Sequence, residues 1–306
     1  MTGTTGDTAP LSPEGGAVAS GRPAATPVVP PDPASTEGGA VASGATVLRG
    51  TVAYDGTSFR GFAQNEGVRT VAGDLVAAAS RVLGVPVTLT VAGRTDAGVH
   101  AVGQVVGLQV PAGTEVDAVR LRNSLNGMVG PEVAVTSLEV APEGFHARFD
   151  ATWRSYRYRI LNSPVHDPFL SSTAWWVPDA LDLGAMQAAG DLLVGEHDFS
   201  SFCRQPKDRR GEPLVRRVTE VRWERADRGG GWDSAPVADG DVVRLAISAS
   251  AFCHQMVRSV TGTMVDVGRG RLQPQDVARI LAAKNRDVAG QVAPPNGLCL
   301  WAVGYG

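Results

Sequence analysis

The chain has 306 residues, with 28 Lys and Arg against 31 Asp and Glu and a formal net charge of -3, and that length suffices for one large or two modest domains with a full core. No uninterrupted apolar run approaches the roughly 20 residues of a membrane helix, and the amino terminus lacks the basic-then-apolar pattern of a signal peptide, so no membrane partner is expected and the cytoplasm is the expected compartment. Cys203, Cys253 and Cys299 form no C-x-x-C pair, which argues against a disulfide framework and a structural zinc site and reads them as reduced thiols.

Residues 1–46 are rich in Pro, Gly, Ala, Ser and Thr and carry Asp7, Glu14, Asp32 and Glu37 against Arg22 alone. The octapeptide at Glu14 to Gly21 recurs at Glu37 to Gly44 and nowhere later. This composition predicts a disordered, low-complexity leader. Order is expected from Val47. Leu48 to Tyr54 reads as a strand, and Thr70 opens a helix whose apolar positions Val71, Leu75, Ala78, Ala79, Val82 and Leu83 keep a spacing near 3.6, ended by Gly84. Two alternating segments, Val87 to Val91 and Val102 to Val110, bracket a short loop. A helix over Val116 to Met128 and a strand over Val133 to Val140 follow.

A long strand is expected from Phe145 to Leu161, with Tyr156 and Tyr158 on one face and Arg157 and Arg159 on the other. The second half then reads as helix Leu183 to Leu193, strands Arg217 to Glu224 and Asp241 to Ala249, helices His254 to Asp266 and Pro274 to Ala283, and a closing strand Leu298 to Val303. Between the middle strands, the Gly- and Asp-rich segment 226–240 reads as an exposed hairpin loop. The fold class is therefore α+β, with helices on one face of a mainly antiparallel sheet. Two similar halves are implied, residues 47–151 and 152–306. A basic run from Arg204 to Arg228, with nine basic against five acidic residues, suits phosphate contact even on a neutral domain, although a solvated face reads the same way.

The loop between the bracketing strands is Gly93-Arg94-Thr95-Asp96-Ala97-Gly98-Val99-His100. Its glycines allow a sharp turn and close approach to a ligand, and Arg94 is suited to hold the Asp96 carboxylate ionised and oriented. A simple Asp-Gly turn is the plain alternative. Three other groups combine ionisable and aromatic residues or sit at turns: Glu196 to Phe202, Phe252 to Arg258, and Pro294 to Leu298.

Taken together these segments resemble the tRNA pseudouridine synthase A family. The resemblance rests on Tyr54-Asp55-Gly56-Thr57 with Phe59 and Gly61, Thr70-Val71, the Gly93 to His100 string with Gly103-Gln104-Val105, and Phe145-His146-Ala147-Arg148-Phe149. It continues in Arg154 with Tyr156-Arg157-Tyr158, His197-Asp198-Phe199, Phe252 with Met256-Val257-Arg258, and Gly297-Leu298. It covers about residues 47–306. Phe62-Ala63-Gln64-Asn65 departs from it where the family usually carries a tryptophan followed by glutamine. The resemblance implies two ferredoxin-like or RRM-like α+β halves joined around a central catalytic cleft. It also implies isomerisation of uridine to pseudouridine in the anticodon stem-loop of tRNA (positions 38, 39 and/or 40), without cofactor or essential metal, by a homodimer.

By the same resemblance Asp96 is the catalytic carboxylate and Tyr156 lies against the target base, its hydroxyl a candidate proton acceptor at C5. Arg94 would take the place of the flipped base and pair with Asp96. Arg258, with Arg157, Arg159 and the Arg204 to Arg217 run, is suited to phosphate, and Tyr158 to packing. Two readings from other classes stand beside this one. A non-catalytic RNA-binding protein would use the same sheet but gains nothing from a carboxylate facing RNA. A metal-assisted hydrolase would need Asp96, His100 and Asp198 to converge.

Overall fold

A computed structural model describes residues 45–205, 211–226 and 241–306. The expected disordered leader, up to residue 44, and the expected hairpin loop from residue 227 onward lie outside the described residues. The chain runs through strand β1 (Thr46–Tyr54), helix α1 (Val71–Leu83), β2 (Thr88–Val91), β3 (His100–Val110), α2 (Ala118–Val129) and β4 (Val133–Val140). It continues with β5 (Ala151–Asn162), β6 (Trp175–Val177), α3 (Leu183–Asp191), β7 (Gly195–Asp198), β8 (Val215–Ala226) and β9 (Asp241–Ala249). Helices α4 (Met256–Gly268) and α5 (Asp276–Ala283) precede the closing strand β10 (Leu298–Tyr305).

Local chemistry accounts for the helix ends. Thr70 caps α1 by accepting a hydrogen bond from the Gly73 amide, and Gly84 ends it in the left-handed region at φ 70°. Asp117 and Asp182 cap α2 and α3 in the same way. The amphipathic spacing works as expected in α2, where Leu121, Leu125 and Val129 form the buried stripe. Helix α4 is different, being buried on nearly every face. One consequence is Gly262, where an added Cβ would lie 1.8 Å from the Gln291 carbonyl oxygen.

The strands form one sheet in the order β4-β1-β3-β10-β5-β9-β8-β7, with β2 on β3 and β6 on β5. All pairings are antiparallel except β10 with β3 and β6 with β5. The α+β class and the mainly antiparallel sheet are thus as the sequence reading expects. Tyr54, Tyr156, Tyr158 and Ile160 point from the sheet into one large core shared with residues of α1, α2, α3 and α4.

The most consequential pairing is that of β10, the last strand in the chain, which inserts between β3 and β5. Leu300 is paired with Ala101 on one side and with Tyr156 on the other. Ala101 closely follows the Asp96 loop. The closing strand therefore brings that loop beside the Tyr156 face of β5.

Two expectations are corrected here. The strand expected from Phe145 begins only at Ala151. Residues 145–150 instead fold into turns, closed by the His146 amide donating to the Asp150 carboxylate (2.8 Å) and the Asp150 amide donating to the His146 carbonyl (3.2 Å). Cys203 and Cys253, expected as reduced thiols, are joined in a disulfide with Cα atoms 5.9 Å apart, while Cys299 stays a thiol. Their sequence separation of 50 leaves no spacing motif to read.

Candidate active site

The backbone of the Asp96 loop is held from several elements at once. Arg154 on β5 donates to the Ala92 carbonyl at 3.0 Å, and Gln104 on β3 donates to the Gly93 carbonyl at 2.7 Å. The Phe62 amide donates to the Thr95 carbonyl at 3.1 Å, and the Val99 amide closes the turn on the Asp96 carbonyl at 3.2 Å. Tyr54 on β1 meets the Thr95 hydroxyl at 2.8 Å, while Gln104 also donates to the Tyr54 oxygen at 3.4 Å. With Gln104 donating to it, the Tyr54 hydroxyl is left to donate to Thr95. Burial pushes the Tyr54 hydroxyl far above its ordinary pKa, so it stays protonated for that role. Phe62, where the sequence departs from the tryptophan of the resemblance, is buried and packs on Tyr54 with ring centroids 5.9 Å apart.

The Asp96 side chain reaches across to the segment around the start of α4. Arg258 donates from Nη1 to Oδ2 at 2.9 Å, and its Nε is anchored on the Ala293 carbonyl at 2.7 Å. His254 Nε2 lies 3.3 Å from Oδ1. Burial works against the charged form of Asp96, but hydrogen bonds and charge from His254 and then Arg258 outweigh it. The carboxyl is held below its usual range. At neutral pH this is an ionised, oriented carboxylate.

Arg94 is the partner that the sequence reading expects for Asp96. The basic side chains within 4 Å of the carboxylate in the contacts described are those of His254 and Arg258, and Arg94 is exposed on the loop itself. Arg258, expected as a phosphate contact, commits two of its nitrogens to protein groups.

Tyr156 is buried on β5, with its ring edge-on to Phe252 at a centroid distance of 5.1 Å. A Cβ added at Gly93 would sit 3.9 Å from the Tyr156 hydroxyl, which places that hydroxyl over the Asp96 loop. Burial raises its pKa strongly, Arg154 opposes the shift, and the Asp96 charge adds to it. Tyr158 is fully buried and donates to the Pro294 carbonyl at 2.7 Å, as a packing residue should.

The hydrolase arrangement is not assembled. His100 is directed at the Gly56 amide and Asp55 through Nδ1 and at the Ser172 and Asn296 carbonyls through Nε2. Asp198 accepts from the Ser200 amide and hydroxyl and from the Leu214 amide, with Lys284 at 3.4 Å. Among the described residues no three His, Cys, Asp or Glu side chains converge on a metal-sized site. The basic run is partly neutralised as well, since Arg217, Arg222 and Arg225 pair with Glu196, Glu224 and Asp241. Lys207, Arg209, Arg210 and Arg228 of that run lie outside the described residues. Arg157 lies over the Trp301 ring at 3.4 Å.

His254 is the site residue that sequence reasoning missed. It stands four positions before Arg258, a spacing that would suggest a shared helix face, yet Gln255 between them is in the left-handed region at φ 63° and α4 starts only at Met256. Proximity to Arg258 was the available signal, and only the three-dimensional path of the chain gives it meaning.

A family model described as tRNA pseudouridine synthase matches residues 189–306. The chain is 43% identical over 241 residues to tRNA pseudouridine synthase A of Frankia casuarinae, covering 78% of this chain and 81% of that protein. It is 39% identical over 241 residues to the protein of the same name from Paramagnetospirillum magneticum, covering 77% and 86%. With that of Rhodopseudomonas palustris it shares 40% identity over 237 residues, covering 77% and 90%. No described helix is long and apolar enough to cross a membrane.

Proposed function

The chain belongs to the tRNA pseudouridine synthase A family and is an isomerase acting on tRNA uridines, and from that premise we propose that it modifies the anticodon stem-loop, at positions 38, 39 and/or 40, with Asp96 as the catalytic carboxylate. The observation that carries this reading is the Asp96 carboxylate itself, held ionised by its contacts with His254 and Arg258 on a loop whose backbone is tethered from β3 and β5 and whose Thr95 hydroxyl is held from β1. The reaction breaks the bond from N1 of the uracil to C1′ of the ribose, rejoins C1′ to C5, and balances loss of the C5 proton with gain of a proton at N1. Attack at C1′, addition at C6 and removal of the 2′ proton each need a carboxylate that is charged when the substrate arrives. A pure RNA-binding protein has no use for such a group in a cleft that must admit a polyanion.

Tyr156 supports the same reading. An aromatic face suits a uracil taken out of its stack. Its hydroxyl is protonated at neutral pH because burial raises its pKa, so it enters as a stacking surface and a donor. Acceptance of the C5 proton there requires the hydroxyl to hand on its own proton in the same step. Arg94, exposed on the loop, is assigned in this reading to the space the base leaves. Residues 47–151 supply the Asp96 loop and residues 152–306 supply Tyr156, His254 and Arg258, so the site joins the two halves.

The test is Asp96→Ala on an anticodon stem-loop transcript. Pseudouridine formation is expected to vanish while tRNA affinity stays within roughly tenfold, about 1.4 kcal/mol. Full activity in that variant would sink the assignment, and a wild-type protein that binds tRNA without forming pseudouridine would support the RNA-binding reading instead.

A further inference from the structure

Residues 145–150 form a rigid turn ahead of β5, and Phe149 is its exposed end. His146 Nδ1 accepts from the Arg148 amide at 3.2 Å and from the Phe149 amide at 3.3 Å. Burial lowers the His146 pKa, with Asp150 opposing the shift, so the ring is neutral at neutral pH and keeps the lone pair these two amides use. Phe145 and Ala147 are buried against Val47 and Val105, and the Tyr305 hydroxyl donates to the Ala147 carbonyl at 2.7 Å, which seats the turn on the sheet. Phe149 is left outside this packing. Its ring stacks on His146 with centroids 4.2 Å apart and planes 30° from parallel, yet the residue is 48% exposed.

The turn also adjoins the Asp96 loop. Arg154 Nη2 donates to the Arg148 carbonyl at 2.9 Å and to the Ala92 carbonyl at 3.0 Å, so the turn and the entrance of the loop hang from one nitrogen. The Arg148 guanidinium carbon lies 5.7 Å from the Phe149 ring centroid, which adds a cation beside the exposed ring. A lone exposed ring is ordinary on a protein surface. One fixed by its own turn and tied to a catalytic loop through a shared arginine is a prepared surface for a planar ligand, because little freedom is lost when a base settles on it. We propose that Phe149 stacks on an unpaired base of the tRNA, beside the uridine that reaches Asp96, and so holds the substrate in register with the loop. This rests on Asp96 as the catalytic group. Stacking reads no hydrogen-bond pattern, so the subsite tolerates any base but not a missing one.

Fluorescence anisotropy tests this by measuring the affinity of wild type, Phe149→Ala, Phe149→Leu and Phe149→Trp for a tRNA transcript, intact or with a single abasic site at each unpaired anticodon-loop position in turn. Phe149→Ala is expected to weaken binding of the intact RNA roughly 5- to 150-fold, the range for one base stacked on an aromatic ring. Leucine keeps apolar bulk without a π face and should lose as much as alanine, while tryptophan should hold near wild type. At one position the abasic site should weaken wild type about as much as Phe149→Ala does and cost that variant nothing more. Equal affinity of wild type and Phe149→Leu overturns the proposal. So does a loss in Phe149→Ala to which every abasic site adds in full, since the ring would then act without a base. Pseudouridine formation by Asp96→Ala is measured alongside. If that variant is inactive and the Phe149 variants bind like wild type, this inference alone fails. If it is active, the assignment of Asp96 fails first.

Discussion

Arg154 offers the sharpest test of how the fold holds the site. The residue is 9% exposed, and its guanidinium donates to four backbone carbonyls, from Nη1 to Ala151 (2.8 Å) and Ser250 (3.0 Å) and from Nη2 to Ala92 (3.0 Å) and Arg148 (2.9 Å). These carbonyls belong to the start of β5, the residue after β9, the entrance of the Asp96 loop and the turn before β5. Lysine keeps the charge but has a single nitrogen, which reaches one pair of carbonyls and leaves the other pair without a donor. A hydrogen bond to a charged group contributes about 1.5–3 kcal/mol, so two lost bonds give about 3–6 kcal/mol. Only the bond to Ala92 is fully buried, and water can replace part of the others. Arg154→Lys is therefore expected to cost about 3 kcal/mol, at the lower end of that range. Urea unfolding followed by circular dichroism measures this directly as a fall in midpoint at unchanged slope. Turnover should fall at least about tenfold with little change in KM, because a displaced Ala92 carries Asp96 out of reach of the substrate. A variant within about 1 kcal/mol of wild type and equally active would refute the account of Arg154 as the tether of the loop.

Two further changes probe other supports of the site. A Cβ added at Gly297 would lie 2.5 Å from Cε1 of Tyr158 and 2.7 Å from the Arg159 carbonyl oxygen, so Gly297→Ala is expected to lower stability by about 1–3 kcal/mol, read as a drop in Tm. An unchanged Tm would show that the entry to β10 yields more easily than this packing implies. Asp198→Ala removes the acceptor for the Ser200 and Leu214 amides and should cost about 2–3 kcal/mol near neutral pH. Burial tends to raise the Asp198 pKa, but its hydrogen bonds from Ser200 and Leu214, together with Lys284, bring it below the ordinary value. A group depressed in the folded state contributes its full stability above its unfolded pKa of about 3.9 and loses it as pH falls through the folded value. The stability gap between wild type and Asp198→Ala should then be level from about pH 5 to 8 and narrow below about pH 4. A gap that widens with acid would contradict that sign.

Much of this arrangement is legible in the sequence, and the rest fails for identifiable reasons. Period-two alternation places Tyr156 and Tyr158 on the buried face of β5, and capping residues locate α1 and α2, because these are local preferences written within a few residues. Strands β6 and β7 have three and four residues, too few to show a period. The start of β5 is misplaced because Phe145 to Phe149 is as apolar and aromatic as a strand, while His146 and Asp150 close it into turns. The partners of Asp96 are hidden for another reason. Arg258 is 162 residues away, and only the insertion of β10 between β3 and β5 brings the two parts of the chain together. The sequence offers a nearby arginine, Arg94, and gives no sign of the distant one that reaches the carboxylate.

That exchange bears on how a carboxylate operates against RNA. A half-buried anion facing a polyanion repels its own substrate unless a cation offsets it nearby. With Arg258 holding Asp96 from a distant part of the chain, the offset comes from outside the loop. The neutral tethers from Tyr54 and Gln104, with the buried Arg154 bound only to carbonyls at this point, fix the loop without adding another carboxylate to the cleft. The sequence of the loop names the reacting group. Its charge and orientation are set by residues from a distant part of the chain.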